Sequence, residues 1–174
     1  SVNINPVLGC GIHGYYIPRF AKGFLDDMYA SALALQCGDK TVIMVSTDHI
    51  GFGKQFPLYR AAIAEAANLP LENIYLVCTH THTGPQVGGD SLRQVGGNQQ
   101  YTDYLGVKLA DSAVLAIKDL KPATLGYAVG QAPRIAFVRR FRMKDGKVRT
   151  NPGVGNPDIL YPIGDVDERV SVLR

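Results

Sequence analysis

The heptapeptide Thr79-His80-Thr81-His82-Thr83-Gly84-Pro85 sets two imidazoles two residues apart. In extended chain an i, i+2 pair points to one side of the backbone. Histidine is the commonest metal ligand and a frequent acid or base, so the pair suits a metal centre or proton transfer. The heptapeptide begins at the end of an apolar run from Asn73, and an earlier apolar run ends in Ser46-Thr47-Asp48. Ligands of parallel α/β sheets bind just beyond the carboxyl ends of the strands. Asp48 is therefore expected to open onto the same crevice as His80 and His82, as a further ligand or as the group that orients a ligating histidine. The competing reading is structural: both imidazoles bond loop carbonyls and Asp48 caps a turn.

Arg139 is a second candidate. If Ile135 to Met143 is one strand, Ile135, Phe137, Arg139, Phe141 and Met143 share a face, with Ala136, Val138, Arg140, Arg142 and Lys144 on the other. An arginine amid apolar neighbours must meet a carboxylate, a phosphate or a ligand, since burying it unpaired is costly. A salt bridge to Asp165 or Asp167 and a substrate contact remain equal alternatives. Arg140, Arg142, Lys144, Lys147 and Arg149 read as the solvated face of a hairpin. No aromatic stacking platform accompanies them, so no nucleic-acid partner is expected. His13 and His49 read as structural histidines, although the glycines around His13 would let backbone approach a ligand closely. Gly9-Cys-Gly-Ile-His-Gly lacks the strand before it and the helix after it that a phosphate loop requires.

The elements that must carry these residues can be read from periodicity. Tyr29 to Gln36 and Thr41 to Thr47 are apolar on both faces and flank Cys-Gly-Asp-Lys, which predicts a hairpin buried on two sides. Pro57 suits the first turn of a helix, with Leu58, Ala62, Ala66 and Leu69 as its stripe. Strand, helix and the strand from Asn73 to Thr79 make a right-handed βαβ unit with parallel strands. Thr83 to Gln99 is expected to be a long functional loop. A helix with the stripe Leu105, Leu109, Ala113, Ile117 and Leu120 follows and ends before Pro122. Leu125 to Val129, Ile135 to Met143, Lys147 to Thr150 and Val170 to Leu173 are strand candidates. The expected fold is α/β: a mixed sheet containing a right-handed βαβ unit and hairpins, with helices packed on the sheet, in a single domain over residues 1–174.

Composition bounds the rest. Over 174 residues, 46% are hydrophobic and 19% charged, the balance of a globular chain. With 19 glycines and 10 prolines it is rich in turns. A net charge of +3 is too small to argue for nucleic acid. No apolar run approaches a bilayer-spanning length, and no signal peptide is read at the N-terminus. Cys10, Cys37 and Cys78 have no disulfide or zinc-finger spacing and are expected to be buried thiols.

THTHTGP after a βαβ unit, preceded by DDMYASALAL and a strand ending STD, and followed by the arginine strand and NPDI...GDVD, resembles the N-terminal part of the neutral/alkaline ceramidase family. The resemblance runs over nearly the whole chain. It implies a zinc-dependent amidase that cleaves the N-acyl bond of a lipid amide, with His80 as a Zn2+ ligand, His82 on the substrate side and Arg139 as the active-site arginine. It further implies that a second histidine, a glutamate, a tyrosine and the serine nucleophile lie beyond the matched region. Val138 stands where well-studied members have Asn. The expected partners are a small amide or lipid substrate and the remainder of the same polypeptide, with homo-oligomerisation open. The rival is a non-catalytic binding module that keeps the fold. The HxH of TIM-barrel amidohydrolases follows the first strand, unlike the order here.

Overall fold

The computed structural model describes residues 1–88 and 99–174. Most of the loop expected from Thr83 to Gln99 thus lies outside the described residues. The chain forms two compact units, Ser1–Lys121 and Pro122–Arg174.

The first unit is a mixed sheet with two helices packed on it. Its strands are β1 (Val2–Asn3), β2 (Gly11–Ile12), β3 (Arg19–Phe20), β4 (Tyr29–Cys37), β5 (Lys40–Thr47) and β6 (Ile74–Cys78), and its helices are α1 (Phe56–Ala67) and α2 (Gln99–Lys118). The main sheet runs β1-β4-β5-β6. Cys37 pairs with Lys40, so Gly38 and Asp39 alone turn the hairpin, with Gly38 at φ 60, a conformation that costs glycine little. β5 and β6 are parallel, in register from Ile43 opposite Ile74 to Thr47 opposite Cys78, and α1 is the crossover between them.

α1 carries Pro57 in its first turn. It stops at Asn68, whose left-handed backbone lets its N–H reach the Ala64 and Glu65 carbonyls. Its buried stripe is Tyr59 and Ile63, one residue round from the Leu58-Ala62 stripe expected from spacing. Volume and a polar handle decide this: Ile63 fills more core than Ala62, and the Tyr59 hydroxyl donates to the Thr102 carbonyl at 2.8 Å. Leu58 is exposed in consequence. In α2, Leu105, Leu109 and Ala113 are buried as expected, with Ile117 and Leu120 packed against them. Full burial of a side chain such as Ile63 or Leu105 contributes roughly 1.5–3 kcal/mol.

Two further expectations fail in this unit. The hairpin is buried on one face only: Ala30, Ala34, Ile43 and Val45 face the helices, while Leu33 and Met44 are exposed, as are Tyr75 and Val77 of β6. Both helices join a single core with that first face, so alternating apolar residues on the second are left uncovered. Cys37 is exposed rather than buried, because it ends β4 at the turn; Cys10 is buried and Cys78 half-buried.

The second unit is antiparallel throughout. β7 (Tyr127–Gln131) pairs with β11 (Arg169–Leu173), and β8 (Arg140–Met143) lies between β9 (Val148–Thr150) and β10 (Ile159–Pro162). Lys144 to Gly146 turn β8 into β9 as expected, with Gly146 N–H donating to the Met143 carbonyl at 3.0 Å. Ile135 to Arg139 is not strand. Arg134 at φ 65 bends the chain, and the register of β8 opens only at Arg140 opposite Thr150. β7 likewise begins two residues later than Leu125. No helix among the described residues is long and apolar enough to cross a membrane.

Candidate functional site

The parallel ladder continues past the strand ends, with Thr79 N–H donating to the Thr47 carbonyl at 2.9 Å. This brings Asp48 and the Thr79–Pro85 segment to the same carboxyl end of the sheet. Gly84 passes so close to Asp48 that a Cβ there would sit 2.6 Å from the Asp48 carbonyl oxygen. Only glycine permits that approach. On the other side β2 pairs onto the segment: Ile12 bridges Pro85, His13 N–H donates to the Gly84 carbonyl and Gln86 N–H to the Gly11 carbonyl.

His80 and His82 stand side by side, ring centroids 5.2 Å apart. His80 has a left-handed backbone at φ 61, a conformation that costs a non-glycine residue roughly 1–2 kcal/mol. Backbone strain of this kind collects at functional sites. His80 Nδ1 lies 2.7 Å from the Ile50 carbonyl oxygen and His82 Nδ1 lies 2.8 Å from that of Gly14. A carbonyl only accepts, so each Nδ1 carries the proton and donates it, and each Nε2 holds the lone pair. No described residue bonds either Nε2. Purely structural histidines could make the same two bonds. Yet fixing the tautomer through Nδ1 is also how a ligating histidine is oriented and its free nitrogen made more basic.

Gly14 makes the His82 geometry possible: it is at φ +98, and a Cβ on it would lie 2.7–2.9 Å from the His82 ring and Cβ. Arg19 donates through Nη2 to the His82 carbonyl at 2.7 Å and stacks over Tyr15 at 3.5 Å, whose ring meets that of His82 edge-on. His13 Nδ1 is buried without a partner among the described residues. Burial first, then the neighbouring His82, holds the His13 pKa below its ordinary value, so it sits as neutral imidazole beside the pair. The strap from His13 to Arg19 is what reading the sequence missed. Its signal was the glycine-flanked His13-Gly14-Tyr15, whose closeness to THTHTGP depends on strand pairing across seventy residues.

Asp48 is half-buried and accepts the Tyr29 N–H through Oδ2 at 2.9 Å, continuing the β4–β5 register. It lines a cavity with Thr81 and Thr83 that neither His80 nor His82 lines, so the crevice expected to be shared by all three is not seen among the described residues. Among the described residues no three His, Cys, Asp or Glu side chains converge closely enough to hold an ion. Burial pushes the Cys10 and Cys78 thiols up, which disfavours the thiolate at those two positions. Arg139 belongs to the second unit, where it is exposed, with its carbonyl accepting the Asn151 N–H at 2.9 Å. The inward strand face expected for it is absent because the strand starts one residue later. Asp167, a suggested partner, is bound by Arg169 at 2.8 Å. Arg140 is exposed and Arg142 half-buried, its guanidinium donating to the Gly146 carbonyl.

No protein-family model, curated protein or solved structure matches this chain.

Proposed function

We propose that the chain contributes one side of the active site of a zinc-dependent amidase resembling neutral ceramidase, acting on an N-acyl amide with a lipid character. The observation that carries this reading is the pair of imidazoles held through Nδ1 by backbone carbonyls, with both Nε2 atoms left unbonded by the described residues at the carboxyl end of the parallel pair. In this reading His80 Nε2 is the Zn2+ ligand, and the remaining ligands and the serine nucleophile come from further chain. Zinc, when bound, would polarise the amide carbonyl and acidify a water or hydroxyl. His82 Nε2, about a ring's breadth from His80, accepts a proton from a substrate N–H or hydroxyl, or donates once protonated. Asp48 fixes the turn that carries Ile50 and hence the His80 ring.

Zinc titration of the complete polypeptide, followed on the imidazole nitrogen resonances, tests the reading. Zinc should shift His80 Nε2 first, with binding lost in His80→Ala and retained in His82→Ala, and amide hydrolysis by the complete polypeptide should be lost in both. If zinc leaves the His80 ring unshifted and the complete polypeptide hydrolyses amides equally well without it, the fold serves as a binding module instead.

A further inference from the structure

His80 is held by the Ile50 carbonyl, and that carbonyl sits on a bend with little backbone support of its own. The β4–β5 pairing reaches as far as Asp48, whose N–H donates to the Tyr29 carbonyl at 3.3 Å, and His49 N–H turns back to the Thr47 carbonyl at 3.0 Å. Past that point, among the described residues, Ile50 and Gly51 make no hydrogen bond except the one to His80.

Two rings anchor the bend from either side. His49 and Phe52 are buried with centroids 6.1 Å apart, and Phe52 meets Tyr59 of α1 edge-on at 5.6 Å. Packing of this kind is non-directional, so it holds the bend in the core without aiming its carbonyl. The His49 ring supplies the direction. Its Nε2 lies 2.9 Å from the Tyr101 hydroxyl, which donates in turn to the Ile4 carbonyl at 2.7 Å. With its own proton committed to Ile4, the hydroxyl accepts from His49, and a hydrogen bond weakens steeply once its angle is lost. The first turn of α2 and the chain after β1 are thereby tied to the residue next to Ile50. His82 does not depend on this chain, since its Nδ1 is held by Gly14, beyond the far end of β2.

We propose that His49 is the positioning residue of His80. The buried chain from His49 through Tyr101 to Ile4 aims the Ile50 carbonyl, and that carbonyl keeps the His80 proton on Nδ1. The free Nε2 is oriented and made more basic as a result. The consequence for zinc rests on the amidase reading, whereas the positioning of the ring does not.

The test is NMR of the complete polypeptide at pH 7, reading the low-field Nδ1 protons of His80 and His82 beside zinc affinity. His49→Leu keeps the bulk and removes the donor, and Tyr101→Phe keeps the ring and removes the acceptor. Each should abolish the His80 signal, leave that of His82 in place and weaken zinc binding about tenfold. His49→Gln, which still donates to Tyr101, should retain the His80 signal and most of the zinc affinity. Should His49→Leu fail to fold, Tyr101→Phe carries the test. An unchanged His80 signal in either of these two variants, loss of both histidine signals together, or a Gln variant no better than Leu would overturn the proposal. Zinc that leaves the His80 ring unshifted, in a protein whose His80 signal still depends on His49, would sink the amidase reading alone.

Discussion

Acidification should strike the first unit through His49. The side chain is fully buried, packed against the Phe52 and Tyr101 rings, with Nε2 at 2.9 Å from the Tyr101 hydroxyl. That hydroxyl donates to the Ile4 carbonyl at 2.7 Å, so it must accept from His49, which fixes the proton on Nε2. Nδ1 is then a buried lone pair without a partner among the described residues, and protonating it would place an unanswered N–H and a charge in the core. Burial accordingly drives the pKa from 6.5 to about 4, against the smaller opposite pull of the Asp48 carboxylate. Between those values the unfolded chain holds a proton that the folded chain refuses. Stability is thus fully present above pH 6.5 and is lost as pH falls towards 4. At about 1.4 kcal/mol per pH unit, the His49 share of the loss by pH 4.5 is about 2.5 kcal/mol, a large part of the roughly 5–15 kcal/mol of an ordinary domain. Urea unfolding at pH 7 and pH 4.5 measures it. Carboxylates titrate over the same range, so the comparison is with His49→Gln, which can still donate to Tyr101 but does not titrate. The variant should be weaker at pH 7 and lose about 2.5 kcal/mol less on acidification. Equal losses in the two proteins would refute the argument. The consequence reaches the candidate site, because His49 seats the turn between Asp48 and the Ile50 carbonyl that holds His80.

Gly14→Ala should displace the His82 ring, since the added Cβ would meet it at 2.7–2.9 Å at a φ of +98; the low-field Nδ1 proton signal of His82 should vanish, with a stability loss of about 1–2 kcal/mol, while the His80 signal persists. Arg139→Leu should change stability by no more than about 0.5 kcal/mol in urea, because the side chain is exposed and no described residue forms an ion pair with it. A loss of roughly 3 kcal/mol or more would mean that a buried carboxylate had been left alone.

Local pattern determined the hairpin, the crossover helix, the parallel pair and the placement of Asp48 and THTHTGP at one sheet end, because each depends on short-range periodicity, turn chemistry or a connection too short to reach elsewhere. The stripe of α2 was legible for the same reason. Tertiary structure decided what periodicity leaves degenerate. Leu58-Ala62 and Tyr59-Ile63 both fit a helix stripe, and the volume of Ile63 with the hydroxyl of Tyr59 chose the second. Leu33 and Met44 look as buried as Ala34 and Ile43, yet the two helices share one core face and cover only that side. The alternation through Arg139 reads as a strand, but a strand exists only where a partner supplies hydrogen bonds, and pairing begins at Arg140. The histidine pair itself could be read from the sequence. Which nitrogen each ring offers could not, because that is set by the carbonyls of Ile50 and Gly14, thirty and sixty-eight residues away, and only folding brings those to the rings.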